Sequence, residues 1–293
     1  MDEQAIPAIR HKRNVSRFFS EKAKYWRIIY DADAEGLSPY NRHDMNRRKE
    51  AVLDALDRFS GGNPIKVLDA GCGPGVLMEE IARRGHRVTG LDVSLEMAAQ
   101  AAQAVGDSGL ALAGCVQGDL EALSFRDHAF DAVVCVGVLQ YLPGDKASIA
   151  ELGRVLRPGG LVVVTLPNIL RISNLLDPVY YLRGFRYLVH RIQRKTTPPD
   201  KSPDSSDVGS NRMFSNRRYF FGQLRRTFRE SGLASIDVRC IGFGPLTFWR
   251  RPILPERISL SVSDRFASIT GKTGWRWLGA FSNRWVVSLQ KGF

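Results

Sequence analysis

From Ile65 onward the chain alternates two hydrophobic patterns. Short apolar runs bounded by glycine or acid, read as strands, occupy Ile65–Asp69, Arg87–Leu91, Leu110–Gln117, Phe130–Val136, Leu161–Leu166, Ala234–Ile241 and Arg284–Lys291. Between them apolar residues recur at helical spacing. Val76, Leu77, Ile81 and Ala82 form one such face before Gly85, and Ser94 is placed to cap a helix to about Val105. Lys146–Leu156 reads as a helix, Pro158-Gly159-Gly160 as a turn, and Asn216–Ser231 as a helix stopped by Gly232. Strands alternating with helices predict an α/β domain around a mostly parallel sheet.

Upstream, Val15, Phe18, Phe19, Trp26, Ile29 and Tyr30 fall near one face of a basic helical stretch over residues 10–30. It reads either as a helix packed on the core or as a lid, with contact to anionic lipid a further option. Asp31–Arg42 reads as a loop and Asp44–Phe59 as a helix leading into the first strand. Two stretches interrupt the alternation. Residues 167–212 are aromatic and basic, then polar and rich in Pro and Ser; residues 242–283 contain Ile258, Val262, Phe266 and Ile269 at helical spacing after Pro255. The expected organisation is an N-terminal helical lid segment, 1–49, and one domain, 50–293, with two insertions. All three additions are expected over the carboxyl ends of the strands.

The chemistry concentrates in Ile65 to Asp92, a strand, glycine loop, helix, strand and acid of about 30 residues, the size of a βαβ unit. Gly71, Gly73 and Gly75 permit positive φ and close approach of another molecule. An acid at the tip of the second strand, Asp92, suits the two hydroxyls of a ribose. A dinucleotide loop would read G-x-G-x-x-G, whereas Val76 stands at the third glycine and Pro74 removes an N–H. The loop therefore suits a ribose-bearing ligand without a pyrophosphate; a tight βα turn with no ligand is the plain alternative.

Val67-Leu68-Asp69-Ala70-Gly71-Cys72-Gly73-Pro74-Gly75 resembles the first motif of class I S-adenosylmethionine-dependent methyltransferases. Asp92, Gly118-Asp119-Leu120, Phe130-Asp131-Ala132-Val133-Val134-Cys135 and Leu152 to Gly160 resemble the later motifs, in order. The likeness covers about residues 50–166 and points to the broad small-molecule branch, methyltransferase type 11-like. It implies a Rossmann-like seven-stranded sheet with helices on both faces and an antiparallel last strand. It also implies S-adenosyl-L-methionine as cofactor. Asp69, Gly71, Cys72, Gly73 and Gly75 would shape the methionine end. Asp92 would take the ribose, Val93, Asp119 and Leu120 the adenine, and Val136, Gly137 and Gln140 would lie nearest the methyl group. Several relatives carry a histidine after the fourth strand, where this chain has Gln140-Tyr141. An amide is no base near pH 7, so no catalytic base is assigned. Tyr25, Tyr30, Tyr40 and Tyr141 are candidate acceptor-side residues.

Composition narrows the partners. The net charge of +12 fits a basic surface facing anionic lipid, a phosphorylated substrate or only solvent. No RNA-binding or helix-turn-helix signature supports nucleic acid. The four cysteines form no C-x-x-C pair and the five histidines no ligand spacing, so neither a required metal nor a disulfide framework is expected. Met1-Asp2-Glu3-Gln4 lacks the order of a secretory leader and no apolar run spans a bilayer, so the cytoplasm is expected, with a peripheral place at the inner face of a membrane as an option. The expected reaction is in-line methyl transfer to oxygen, with nitrogen second, of a small or amphipathic, even lipid-linked, acceptor. The rival readings are a cofactor-binding scaffold or sensor and, third, a dehydrogenase.

Overall fold

The computed structural model describes residues 5–30, 38–107, 112–172, 176–179, 181–182, 217–220, 222–249, 251–270 and 273–292. The strands of its main sheet are β1 (Lys66–Ala70), β2 (Arg87–Asp92), β3 (Leu112–Gln117), β4 (Phe130–Cys135), β5 (Leu156–Pro167), β6 (Leu233–Ile241) and β7 (Arg284–Lys291), beside a short hairpin that pairs Thr247 and Phe248 with Pro252 and Arg251. They form one sheet in the order β3-β2-β1-β4-β5-β7-β6. The neighbours from β3 to β5 pair in parallel, and β7 runs antiparallel to both β5 and β6.

Both faces of the sheet are buried, which explains why the strands read as continuous apolar runs. Val67, Ala132, Val134, Leu161 and Val163 point to one face and pack with Val52 and Leu56 of α3 (Pro39–Ser60), Met78 and Ile81 of α4 (Val76–Arg83), and Ala101 and Val105 of α5 (Leu95–Asp107). The alternate residues Leu68, Val133, Cys135, Val162 and Val164 pack with Ile149 and Leu152 of α6 (Lys146–Val155) and Phe228 of α7 (Arg225–Glu230). Truncating one of these fully buried leucines to alanine costs about 2–5 kcal/mol.

Several boundaries differ from the sequence reading, each for a local reason. The N-terminal stretch is two helices, α1 (Ala5–Glu21) and α2 (Ala23–Tyr30). Helix α3 starts at Pro39, inside the expected loop, because Ser38 caps it through Asn41 N–H and proline suits the first turn. The expected turn at Pro158 is a bulge within β5: Phe130 pairs with Leu156 and Ala132 with Leu161, while Arg157 binds Asp131 at 2.6 Å. Among the described residues of 216–231, only Arg225–Glu230 is helical. Tyr219 instead bridges to Asn168, its hydroxyl donates to Asp145 at 2.9 Å, and the Arg217 guanidinium grips the same carboxylate at 2.6 and 2.8 Å.

Most of the first insertion, from 183 on, lies outside the described residues. The second carries α8 (Glu256–Thr270), which packs against α3 and the carboxyl end of β6. Tyr40 N–H donates to Glu256 at 2.9 Å and His43 meets Asp264 at 2.9 Å. The buried residues of α8 are Ser259, Ser263 and Thr270; of the apolar stripe Ile258 is 49% exposed, Val262 and Ile269 are half-buried, and Phe266 packs on Phe243. No helix among the described residues is long and apolar enough to cross a membrane.

Candidate functional site

The carboxyl ends of β1, β2, β3 and β4 open into one cavity, where an open α/β sheet places its ligands. The glycine loop forms its floor. Gly71 (φ +85°) donates its N–H to the Leu91 carbonyl at 2.6 Å, and a Cβ there would meet Val138 at 2.2 Å. Gly73 (φ +53°) lines the cavity and donates to Asp92 Oδ2 at 2.9 Å; a Cβ on it would meet no protein atom within 4 Å. Gly75 (φ +88°) serves another purpose and does not line the cavity. It begins α4, and a Cβ there would come within 2.7 Å of the Ala101 backbone in α5. Gly75 thus allows the close helix packing that a dinucleotide loop assigns to its third glycine.

Two acids give the cavity its charge. Asp69 is buried at the end of β1, and its Oδ2 has no hydrogen-bond partner among the described residues. Burial, reinforced by the nearby Asp92, pushes its carboxyl up to about 7. Asp92 is also raised by burial, against the N–H donors of Ser94 and Gly73 that hold its ionised form. A carboxylate has about four lone-pair directions, so each Asp92 oxygen keeps capacity for a ligand hydroxyl. An orphaned buried carboxylate oxygen calls for a cationic or donor group, and the pair of acids fits a molecule with an ammonium at one end and a ribose beyond it.

Helices α1 and α2 cover the cavity and bond to the loop after each of these four strands. Arg27 donates to the Pro74 carbonyl at 2.9 Å and pairs with Glu79 at 2.9 Å. Ser16 donates to the Val93 carbonyl at 3.1 Å, and the Ser20 and Ser94 hydroxyls are 3.0 Å apart. Lys12 binds Asp119 at 2.6 Å and also pairs with Glu121. His11 Nε2 lies 2.7 Å from the Tyr141 carbonyl, and Phe19 packs edge-on against the Tyr141 ring at 5.1 Å. Val15, Phe19 and Trp26 supply an apolar ceiling.

Of the residues singled out in the sequence, Asp69, Gly71, Cys72, Gly73, Asp92, Val93, Asp119, Leu120, Val136, Gly137 and Tyr141 line this one cavity. Gln140 does not; it is buried, its amide oxygen has no partner among the described residues, and its carbonyl accepts from Arg217 N–H at 3.0 Å. Tyr25 is 55% exposed on α2. Tyr40 is buried elsewhere, beside Asn283 and Ser263, and burial pushes its hydroxyl up to about 12. The Tyr30 side chain is outside the described residues. No described residue of the second insertion lines the cavity.

Sequence reasoning missed His11 and Lys12, whose partners lie 130 and 107 residues away. It also missed the 3.7 Å approach of the Cys72 and Cys115 sulfurs. Among the described residues no cluster of three or more His, Cys, Asp or Glu side chains could hold a metal ion.

Comparison with known proteins agrees with this geometry. A family model described as a methyltransferase domain matches residues 68–164. The chain is 31% identical over 172 residues to a ubiquinone biosynthesis O-methyltransferase of Sodalis glossinidius, covering 57% of this chain and 66% of that protein. It is 30% identical over 189 residues to the protein of the same description from Alkalilimnicola ehrlichii, covering 64% of this chain and 70% of that one. In structure it superimposes on magnesium protoporphyrin IX methyltransferase of Synechocystis PCC 6803, solved with bound S-adenosylhomocysteine, with a TM-score of 0.58 at 16% identity over 96% of this chain and 100% of that one. That likeness speaks for the fold. Together with the motif order and the sheet order, these matches show that the chain belongs to the class I S-adenosylmethionine-dependent methyltransferases, enzymes that use S-adenosyl-L-methionine as methyl donor.

Proposed function

We propose that the protein methylates a hydroxyl oxygen of a small phenolic acceptor carrying an apolar, lipid-like tail. The carrying observation is the unpartnered, buried Asp69 oxygen beside a glycine loop in a covered apolar cavity. In this reading Asp69 receives the ammonium of S-adenosyl-L-methionine, with the backbone of Gly71, Cys72 and Gly73 around its methionine end. Asp92 takes the ribose hydroxyls, and Val93, Asp119 and Leu120 surround the adenine. Val136 and Gly137 face the reacting end. The bound cofactor supplies a methyl group already activated on sulfur. The protein's work is therefore alignment and exclusion of water, and holding two reactants at attack distance is worth up to about 7–11 kcal/mol.

The oxygen acceptor follows from the relatives named as ubiquinone biosynthesis O-methyltransferases and from the aromatic and apolar walls of Phe19, Trp26, Val138 and Leu142. The lipid-like tail is supported by exposed apolar side chains away from the cavity. Phe248, Trp249, Ile253 and Trp277 of the second insertion are each more than half exposed, on a chain of net charge +12. Apolar side chains with surrounding basic charge suit peripheral contact with an anionic bilayer.

The test is transfer of isotopically labelled methyl to three acceptors: a polyprenyl catechol in vesicles containing anionic lipid, a soluble catechol, and an aromatic amine. Label on the polyprenyl catechol oxygen, faster than on the soluble catechol, is expected. Label on the amine alone would overturn the oxygen assignment, and a faster soluble catechol would remove the tail.

A further inference from the structure

Cys72 stands between Gly71 and Gly73 in the loop after β1 and lines the cavity. Cys115 lies on β3, the edge strand of the sheet, and is half-buried. Strand β2 runs between them, yet their sulfurs approach to 3.7 Å, and both are free thiols. Glycine on β2 makes this approach possible. Gly90 pairs with Cys115, and a Cβ on it would come within 2.9 Å of the Cys115 sulfur and 2.5 Å of the Met78 sulfur. Without that Cβ, the Cys115 sulfur can lie across β2 toward the glycine loop. The shared hydrogen bond from Cys72 holds the Cys115 thiol below its ordinary range, against the cost of burial. The same contact, together with burial and the charge of Asp69, pushes Cys72 up. The thiolate is the nucleophile, so Cys115 is the reactive sulfur and Cys72 the thiol beside it. A more acidic, partly exposed cysteine next to a resolving one is the arrangement of an oxidation-sensitive pair.

We propose that Cys72 and Cys115 form a reversible oxidation site, closed to a disulfide by hydrogen peroxide, and that the closed form opposes binding of the methyl donor. The inference goes beyond the proposed reaction and is independent of the acceptor. The Cys115 thiolate attacks one peroxide oxygen, the O–O bond breaks, and Cys115 becomes a sulfenic acid. The departing hydroxide takes up the proton that Cys115 released. The Cys72 sulfur then attacks the Cys115 sulfur, the S–O bond breaks, and the Cys72 proton leaves with that oxygen as water. Two thiols give up two electrons and two protons, and one peroxide becomes two waters. A bonded pair of sulfurs is far closer than this pair, and β3 is tied to β2 by backbone pairing from Thr89 to Asp92. The glycine loop is therefore the part that yields. Its neighbours on either side of Cys72 are the Gly71 N–H on the Leu91 carbonyl and the Gly73 N–H on Asp92. A shift at Cys72 thus disturbs the cavity floor and the acid of β2 together.

The test treats fully reduced wild-type protein, free of ligand, with a small excess of hydrogen peroxide. Peptide mapping without reductant should recover one bridged pair, Cys72 to Cys115. Calorimetric titration should show S-adenosylhomocysteine affinity weakened by about 5–150-fold, the usual span of coupling between two sites, and restored by dithiothreitol. Coupling is reciprocal, so saturating S-adenosylhomocysteine should make the disulfide easier to reduce in a glutathione buffer, by about 30 mV for each tenfold of affinity lost. Cys115→Ser should bind like reduced wild type before and after peroxide. Other cysteine pairings, singly oxidised thiols without a bridge, or unchanged affinity with the bridge in place would overturn the proposal. So would a loss that dithiothreitol does not restore, because it reverses a disulfide but not a methionine sulfoxide, and the effect would then belong to Met78. Absence of binding to reduced wild type would instead overturn the donor-site reading and the coupling with it, while the peptide map still decides the oxidation site.

Discussion

Asp69 carries the charge logic of the site in one side chain. In the folded protein its carboxyl sits at about 7 against an ordinary 3.8, because it is buried and faces the charge of Asp92. The folded state therefore holds this proton more tightly than the unfolded chain, and the stability it contributes is greatest in acid and falls as pH rises from about 4 through 7. A cationic ligand group needs the ionised form. Affinity for S-adenosylhomocysteine should then rise about tenfold between pH 6 and pH 8, since only about a tenth of Asp69 is ionised at the lower value. Asp92, raised by burial, acts in the same direction. Calorimetric titration at both pH values checks this, with Asp69→Asn expected to bind weakly and with little pH dependence. Equal wild-type affinity at pH 6 and 8 would contradict it. Asp69 was legible in the sequence because the glycine motif marks it. His11 and Lys12 were not, because their meaning arises from partners more than a hundred residues away.

At the scale of elements, the glycine loop separates packing from binding. Gly75→Ala would place a Cβ 2.7 Å from the Ala101 backbone at a left-handed φ, which should cost about 1–3 kcal/mol of stability. Gly73→Ala meets no neighbouring atom, so it should cost only the left-handed strain of about 1–2 kcal/mol while weakening S-adenosylhomocysteine binding more than its neighbour does. Denaturant midpoints and titrations on the pair check the crossing of effects; a Gly75→Ala protein as stable as wild type would refute the packing role. The strands were readable because a sheet buried on both faces leaves unbroken apolar runs. The element α7 was over-read, since the contacts of Arg217 and Tyr219 with Asp145 override local helical spacing. In α8 the period was right, and its fully buried positions are the small Ser259 and Ser263 while the apolar stripe is only partly covered, with Ile258 turned outward. Periodicity reveals a stripe without saying what covers it.

The whole molecule joins a sheet whose strand ends converge on one cavity to a pair of helices bonded to the loop after each of β1, β2, β3 and β4. Those bonds are part-buried, and exposed contacts of this kind are individually weak. In the second insertion Phe248, Trp249 and Trp277 are exposed away from that cavity, whereas Phe243 is buried against Phe266. The central claim is that this covered cavity holds S-adenosylmethionine through its two acids. Its most direct test is calorimetric titration of wild-type protein and Asp92→Asn with S-adenosylhomocysteine, alongside circular dichroism. Loss of the charged acceptor should weaken binding by about 10–100-fold with the fold intact, since hydrogen bonds to a charged group are worth about 1.5–3 kcal/mol. Equal affinity in the two proteins, or no binding to the wild type, would contradict the account.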